Sequence, residues 1–135
     1  MNYNAKKYLF IWCLGAIAYG LVEVLARGYT HWTMVITGGF ALLMLYGINK
    51  RMAKRNLLLR CLAGCLAITA AEFAVGCVVN LALGWNVWDY SDEAYNLLGQ
   101  ICPKITAYWF LLCIPVMIGC DLFDRQTQEY QEEAM

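Results

Sequence analysis

Four long apolar stretches run through the chain, and most of the charged residues lie between them or at the two ends. Each stretch has the roughly 17–25 residues that a membrane-crossing helix needs, and each is apolar on nearly every helical face. A soluble bundle would instead show polar stripes at helical spacing. The pattern predicts an all-α integral membrane protein, one domain over residues 1–135, with transmembrane helices at about 8–27, 32–49, 61–83 and 105–122 and a polar C-terminal tail at 123–135.

Composition agrees with this pattern. Hydrophobic residues make up 61% of the 135 residues and charged residues 15%, against about 45–50% and about 25% in typical soluble domains. The formal net charge is zero, so no basic excess is available to neutralise a phosphate backbone, and nucleic acid is excluded as an expected partner. A cleaved signal is an alternative for the first stretch, because Lys6 and Lys7 precede it and Ala16-Ile17-Ala18 resembles a cleavage site. The apolar helix continues unbroken to Ala26, which favours a retained span.

The basic residues predict the orientation of the helices. One side of the membrane would carry Lys6, Lys7, Lys50, Arg51, Lys54, Arg55, Arg60 and Arg125, and the other only Arg27 and Lys104. Since positive residues in short loops stay inside, both termini are expected in the cytoplasm. The acidic residues of the tail are expected to form a solvated, frayed end (Asp121, Asp124, Glu129, Glu132 and Glu133).

Cysteine and histidine show no ligand spacing. Six of the seven cysteines fall in apolar stretches, where a thiol behaves as a small hydrophobe. Cys102 is expected near the outer surface, without a disulfide partner, and His31 at the outer end of the second helix as an interfacial polar residue. We therefore predict no bound metal and no cofactor.

Two carboxylates lie inside the predicted membrane spans. Glu72 falls at the middle of the third helix, and Glu23 toward the outer end of the first. An acid at the bilayer centre costs about 2.5–3.5 kcal/mol, so such residues face a bundle interior or a wet cavity. Arg27, one helical turn after Glu23, offers an ion pair that could simply anchor the end of that helix.

The face of the third helix around Glu72 is polar and small. It reads Thr69, Glu72, Gly76 and Asn80, and no Lys or Arg lies at the depth of Glu72 in any helix. One interpretation is a packing seam with a neutral, hydrogen-bonded Glu, because small residues allow close helix approach and polar ones bond across the contact. The other, which we favour, is a substrate or proton site.

The segment between the third and fourth helices is rich in aromatic and polar residues. An aromatic belt would explain the aromatic residues but not the polar side chains between them. Ser91 suits a helix N-cap and Pro103 a break, so we predict a short interfacial or re-entrant helix here. We expect the segment to form an outer vestibule lined by Trp85, Trp88, Asp89, Tyr90, Asn96 and Gln100.

The run 84–102, preceded by Glu72 on a small-residue helix, resembles the bacterial ABC-transporter type IV (CmpB-like) permeases. The segment 28–34 with Gly38-Gly39 resembles the N-terminal half of the same family, so the resemblance covers about residues 8–122. This sequence has Ala94 where related sequences commonly have proline. The resemblance implies a multi-pass protein of the bacterial plasma membrane that takes part in solute transport.

Two functions follow from these observations. The first is a small transport protein with a carboxylate site centred on Glu72, together with Glu23 and Asn80, that binds a small solute or ion. Because four helices enclose little space, it would work as a homo-oligomer or within a larger transporter assembly in the lipid bilayer. The alternative is a non-transporting scaffold or accessory subunit that binds a partner helix through the polar seam. No nucleophile–base pair and no phosphate-binding Gly-rich loop are visible, so we expect no enzyme.

Overall fold

Four α-helices make up most of the computed structural model, which describes residues 2–134. They are α1 (Tyr3–Arg27), α2 (Trp32–Arg51), α3 (Leu57–Gly76) and α4 (Pro103–Glu133), and α3 continues into a π-helical turn at Cys77–Ala82. All four are long and apolar enough to cross a membrane, with α3 and its π-turn counted as one span, Leu57–Ala82. The described residues contain no β-strand. The prediction of an all-α protein with four transmembrane helices is thereby confirmed.

Local side chains explain where the helices begin and end. Asn2 caps α1 by accepting a hydrogen bond from the amide of Ala5 at 2.9 Å, and Gly28 ends it in the left-handed conformation at φ 80°. Asn56 caps α3 in the same way, through the amide of Leu59 at 2.8 Å. His31 has this role for α2, because its Nδ1 lies 3.3 Å from the Thr33 amide. Side-chain caps satisfy amides that the first turn leaves without partners.

The chain divides into two compact units, Met1–Met44 and Leu45–Met135. In the first unit, α1 packs on the beginning of α2 through glycines. A Cβ atom added at Gly15 would lie 2.6 Å from the carbonyl oxygen of Gly38, and one at Gly39 would lie 2.5 Å from the Trp12 ring. The absence of side chains at these positions lets the two backbones approach closely, as is common between membrane helices.

The second unit contains the end of α2, α3, the loop 83–102 and α4. Its core lies between α3 and α4, where Cys61, Cys113 and Met117 are fully buried. Gly64 allows this packing, since a Cβ there would lie 2.8 Å from Met117 Cε. The core is built from sulfur-containing and small side chains, which fill irregular space between helices.

The predicted helix between α3 and α4 does not form. The described loop 83–102 consists of bends and turns with one isolated antiparallel bridge between Leu97 and Ile101. Positive φ angles explain why, because they are incompatible with a right-handed helix. Besides two glycines, they occur at Asn86, Tyr95 and Leu98.

The helices are longer than hydropathy alone predicted. α1 begins at Tyr3 rather than near residue 8, α3 at Leu57 rather than 61, and α4 at Pro103. The prediction of a frayed polar tail was wrong, because α4 continues as a helix to Glu133. At 1.5 Å per residue its 31 residues span about 46 Å, well beyond the roughly 30 Å hydrocarbon core. Hydropathy marks the part of a helix that lipid surrounds, and the helix itself extends past it.

Candidate functional site

Glu72 lies on α3 at the centre of a contact that joins three parts of the second unit. It is buried, with 6% of its surface exposed. Its Oε1 accepts a hydrogen bond from the Tyr90 hydroxyl at 3.1 Å, and its Oε2 accepts one from the Trp109 indole N–H at 2.9 Å. The carboxylate thus links α3 to the loop and to α4. Tyr90 was among the predicted site residues, whereas Trp109 was not, because nothing in the apolar sequence of α4 distinguishes it.

Asn80 and Gln100 form a second contact, between the π-turn and the end of the loop. Asn80 Nδ2 donates to Gln100 Oε1 at 2.8 Å, and Asn80 Oδ1 accepts from the Val87 amide at 2.6 Å. The Trp88 indole donates to the Gln100 carbonyl oxygen at 3.0 Å. Trp88 and Gln100 are both buried. Two of the predicted site residues, Asn80 and Trp88, therefore each bond to a third, Gln100, and these bonds hold the loop against α3.

The π-helical turn places Asn80 for this contact. In it the Leu83 amide bonds to the Val78 carbonyl at 2.9 Å, five residues back rather than four. A π-turn shifts the side chains that follow it around the helix, and such turns are frequent at functional sites.

Gly76, between Glu72 and Asn80 on the same face, allows the loop to lie against the helix. A Cβ atom there would lie 2.5 Å from Gln100 Oε1 and 2.9 Å from Trp88 Cζ2. At the other end of this face, the Thr69 and Thr106 hydroxyls lie 3.2 Å apart. The polar face of α3 predicted from the sequence is therefore covered by the loop and by α4.

Asp89 and Asn96 organise the loop itself. Asp89 is exposed and accepts hydrogen bonds from the hydroxyl and, at 2.9 Å, from the amide of Ser91. These bonds hold the pKa of the Asp89 carboxyl below its usual value. Asn96 donates to the carbonyl oxygens of Ser91 and Glu93 at 3.0 and 2.9 Å. Trp85 is 46% exposed. The structure thus brings Tyr90, Trp88 and Gln100 to the face of α3, while Asp89 and Asn96 bond within the loop.

Glu23 belongs to the first unit and forms the ion pair predicted for it. Its Oε2 lies 2.5 Å from Arg27 Nη2, and it also accepts hydrogen bonds from the hydroxyls of Tyr19 and Thr30. The Arg27 guanidinium in turn lies 4.9 Å from the Tyr29 ring centre. The contacts of Glu23 in this unit are those of a polar cluster at the end of α1.

The cysteines of the described chain are all free. Cys102, which was expected near the outer surface of the membrane, is buried, with 3% of its surface exposed. In residues 2–134, no three His, Cys, Asp or Glu side chains are grouped so that they could hold a metal ion.

The sequence matches the family described as "Putative ABC-transporter type IV" over residues 9–129. The chain belongs to this family. The resemblance noted above is thereby confirmed, and the match takes in Glu23, Glu72 and the whole loop 83–102. Neither the curated proteins nor the solved structures include a significant match.

The second unit contains another polar cluster, which the sequence did not reveal. Arg60 Nη1 lies 3.0 Å from both carboxylate oxygens of Asp121 and donates to Asn49 Oδ1 at 2.6 Å. Asn49 Nδ2 also donates to Asp121 at 2.7 Å, and the buried Tyr46 hydroxyl donates to Asp124. The cluster ties α2, α3 and α4 together. Predicting Asp121 as part of a solvated tail was wrong; its only sequence signal was that polar residues stand at the same end of three apolar stretches.

Proposed function

We propose that this chain is a membrane-embedded subunit of a solute or ion transport system and that Glu72 is its ligand-responsive group. One observation carries the proposal: a buried carboxylate near the middle of a membrane-crossing helix accepts its hydrogen bonds from Tyr90 of the loop and from Trp109 of α4. Intramembrane acids in such positions mark ion and substrate pathways. Membership of an ABC-transporter-related family supports the same class of function.

The chemistry of Glu72 couples ligand to conformation. Tyr and Trp donate neutral hydrogen bonds, which suit an ionised carboxylate. A proton on the carboxyl removes acceptor capacity, and a bound cation competes with both donors for the oxygens. Either event weakens the hold of Glu72 on Tyr90 and Trp109, and so loosens the loop against α3. The loop thereby acts as the gate to the carboxylate.

In this proposal the protein transports and does not catalyse covalent chemistry. Where transport needs nucleotide hydrolysis, a separate subunit carries it out. A second copy of this chain or a larger partner completes the transport pathway. Both termini lie in the cytoplasm, and the loop 83–102 faces outward.

A cysteine at Tyr95 tests this orientation. Tyr95 is 91% exposed at the loop tip, so in intact cells Tyr95→Cys should react with a membrane-impermeant maleimide. The wild-type chain is the control, because Cys102 is buried and should not react. Labelling of Tyr95→Cys only after permeabilisation, with Lys54→Cys labelled in intact cells, would reverse the proposed orientation.

Glu72→Gln tests the site. Gln keeps the size and one acceptor oxygen of Glu but cannot ionise. In proteoliposomes with an entrapped pH dye and an imposed potassium diffusion potential, we expect wild-type protein to carry protons and Glu72→Gln to fall to the rate of empty liposomes. Stability in detergent should change by no more than about 1 kcal/mol.

The matched control is Glu93→Gln, which neutralises a carboxylate of the loop 83–102 that is paired with Lys104 at 2.9 Å. It should retain flux. Undiminished flux in Glu72→Gln, or no flux in the wild type, would contradict a proton-linked role for Glu72.

A scaffold or accessory subunit is the second candidate, and the hydrogen bonds that Asn80 and Trp88 each form with Gln100 favour it. Polar groups that satisfy one another in this way also serve a purely structural seam. For a scaffold, Glu72→Gln should assemble with partner subunits as the wild type does, and neither should transport protons.

A further inference from the structure

The turn between α2 and α3 carries an unusual set of cations. Lys50 and Arg51 end α2, Lys54 and Arg55 follow within the turn, and all four are exposed. Arg51, Lys54 and Arg55 form no ion pair with a carboxylate of the described residues. Elsewhere in the described chain, Arg27, Arg60 and Lys104 are each paired with a Glu or Asp. Four exposed cations therefore lie close together in this turn.

Two acids of α4 that contact the helices on either side of the turn are already engaged. Asp121 bonds to Arg60 and Asn49, and Asp124 accepts the Tyr46 hydroxyl. The same contacts fix the ends of α2 and α3 against α4, so the turn is held in place. Its backbone is compact as well, with the Arg55 amide bonded to the Met52 carbonyl at 2.8 Å. The charges of the turn therefore lie on the exposed surface of a compact, hydrogen-bonded turn.

The position of the turn identifies its partner. It joins two helices that each cross the membrane, and only residues 52–56 separate them. So short a connection stays at the level of the lipid headgroups. Directly after it, Leu58 and Leu59 are 63% and 41% exposed at the start of α3. Cations beside exposed leucines match the layering of phosphate over acyl chains.

We propose that this turn is a binding surface for the headgroups of anionic phospholipids. Clusters of four or more Lys and Arg next to a transmembrane helix attract such lipids, by about fivefold in affinity for each charge near the surface. An acidic soluble protein fits less well, because a five-residue turn cannot reach away from the bilayer. The proposal is independent of any role of Glu72.

The experiment uses the full chain purified in a neutral detergent, so that insertion orientation has no influence. Short-chain phosphatidylglycerol is titrated against it, with phosphatidylcholine for comparison, and binding is followed by native mass spectrometry. We expect phosphatidylglycerol to bind preferentially. This preference should fall as the salt concentration rises, because salt shortens the Debye screening length. Equal binding of both lipids would overturn the proposal.

Three variants locate the surface. Replacing Arg51, Lys54 and Arg55 together with Gln should lower phosphatidylglycerol affinity about a hundredfold, whereas Arg51→Lys with Lys54→Arg and Arg55→Lys should stay within about twofold. The charge-matched control neutralises three cations outside the turn, with Lys6→Gln, Lys7→Gln and Arg125→Gln. It should lose much less phosphatidylglycerol affinity than the Gln triple variant of the turn.

Two results would overturn the assignment. An equal loss in the control triple variant would show diffuse attraction rather than a surface at the turn. A salt-sensitive dimer of the wild type in neutral detergent, abolished by the Gln triple variant, would show that the turn binds the acidic end of α4 in a second copy.

Discussion

Asp121→Ala is expected to lower the free energy of unfolding by about 3 kcal/mol. The substitution removes the carboxylate that pairs with Arg60 at 3.0 Å, and leaves a guanidinium whose side chain is only 10% exposed. Breaking a buried pair from one side costs about 3–5 kcal/mol, since the remaining charge stays buried. The Asp121 side chain is itself 37% exposed. The expected loss of stability is therefore at the lower end of this range. Unfolding of the purified protein in mixed micelles measures it.

Two comparisons make this result specific. Glu132→Ala removes the same charge from an exposed position of α4 and should change stability by less than about 0.5 kcal/mol. Arg60→Met combined with Asp121→Leu removes both charges and should recover much of the loss, because no unpaired ion remains. Equal stability of Asp121→Ala and Glu132→Ala would show that the cluster does not hold the helices together.

Contacts close in sequence were the ones that could be predicted. Glu23 and Arg27 are one helical turn apart, so the helix alone brings them together. The four spans followed from apolar runs for a similar reason, because in lipid a chain must satisfy its backbone internally and a helix does so locally.

Contacts distant in sequence could not be predicted. Glu72 and Trp109 are 37 residues apart, and Arg60 and Asp121 are 61 apart. Which side chains meet at those distances depends on how α3 and α4 rotate against each other. Hydropathy does not constrain that rotation, since these helices are apolar on nearly all faces.

The prediction of a short helix in the loop 83–102 was wrong for a different physical reason. Ser91 and the acids after it suggest the start of a helix. In the structure, however, the Asp89 carboxylate accepts a hydrogen bond from the Ser91 amide. The Asn96 side chain donates to the carbonyl oxygens of Ser91 and Glu93. Short polar side chains compete in this way with helical hydrogen bonds. The loop then follows contacts with the face of α3, where Gly76 leaves room for Trp88 and Gln100.

Gly76→Ala is expected to detach the loop from α3 and to lower stability by about 2 kcal/mol. The added Cβ would lie 2.5 Å from Gln100 Oε1 and 2.9 Å from Trp88 Cζ2. Neither side chain can move freely, because Gln100 is bonded to Asn80 and the Trp88 indole to the Gln100 carbonyl. Overpacking of this kind typically costs about 1–3 kcal/mol. Hydrogen exchange of the Val87 and Tyr90 amides, which bond to Asn80 and to Gly99, should become faster.

Gly119→Ala provides the matched control in the neighbouring helix. A Cβ there meets nothing within 4 Å. The change should therefore stabilise α4 by about 0.5–1 kcal/mol, because alanine loses less conformational entropy on folding than glycine. The two alanines therefore have opposite expected signs. If Gly76→Ala is as stable as Gly119→Ala and the loop amides stay protected, the loop does not depend on close approach to α3. Gly76→Ala keeps the Glu72 carboxylate. If the loop opens in this variant, any change in its proton flux therefore measures what Tyr90 and the loop contribute to transport, separately from the carboxylate.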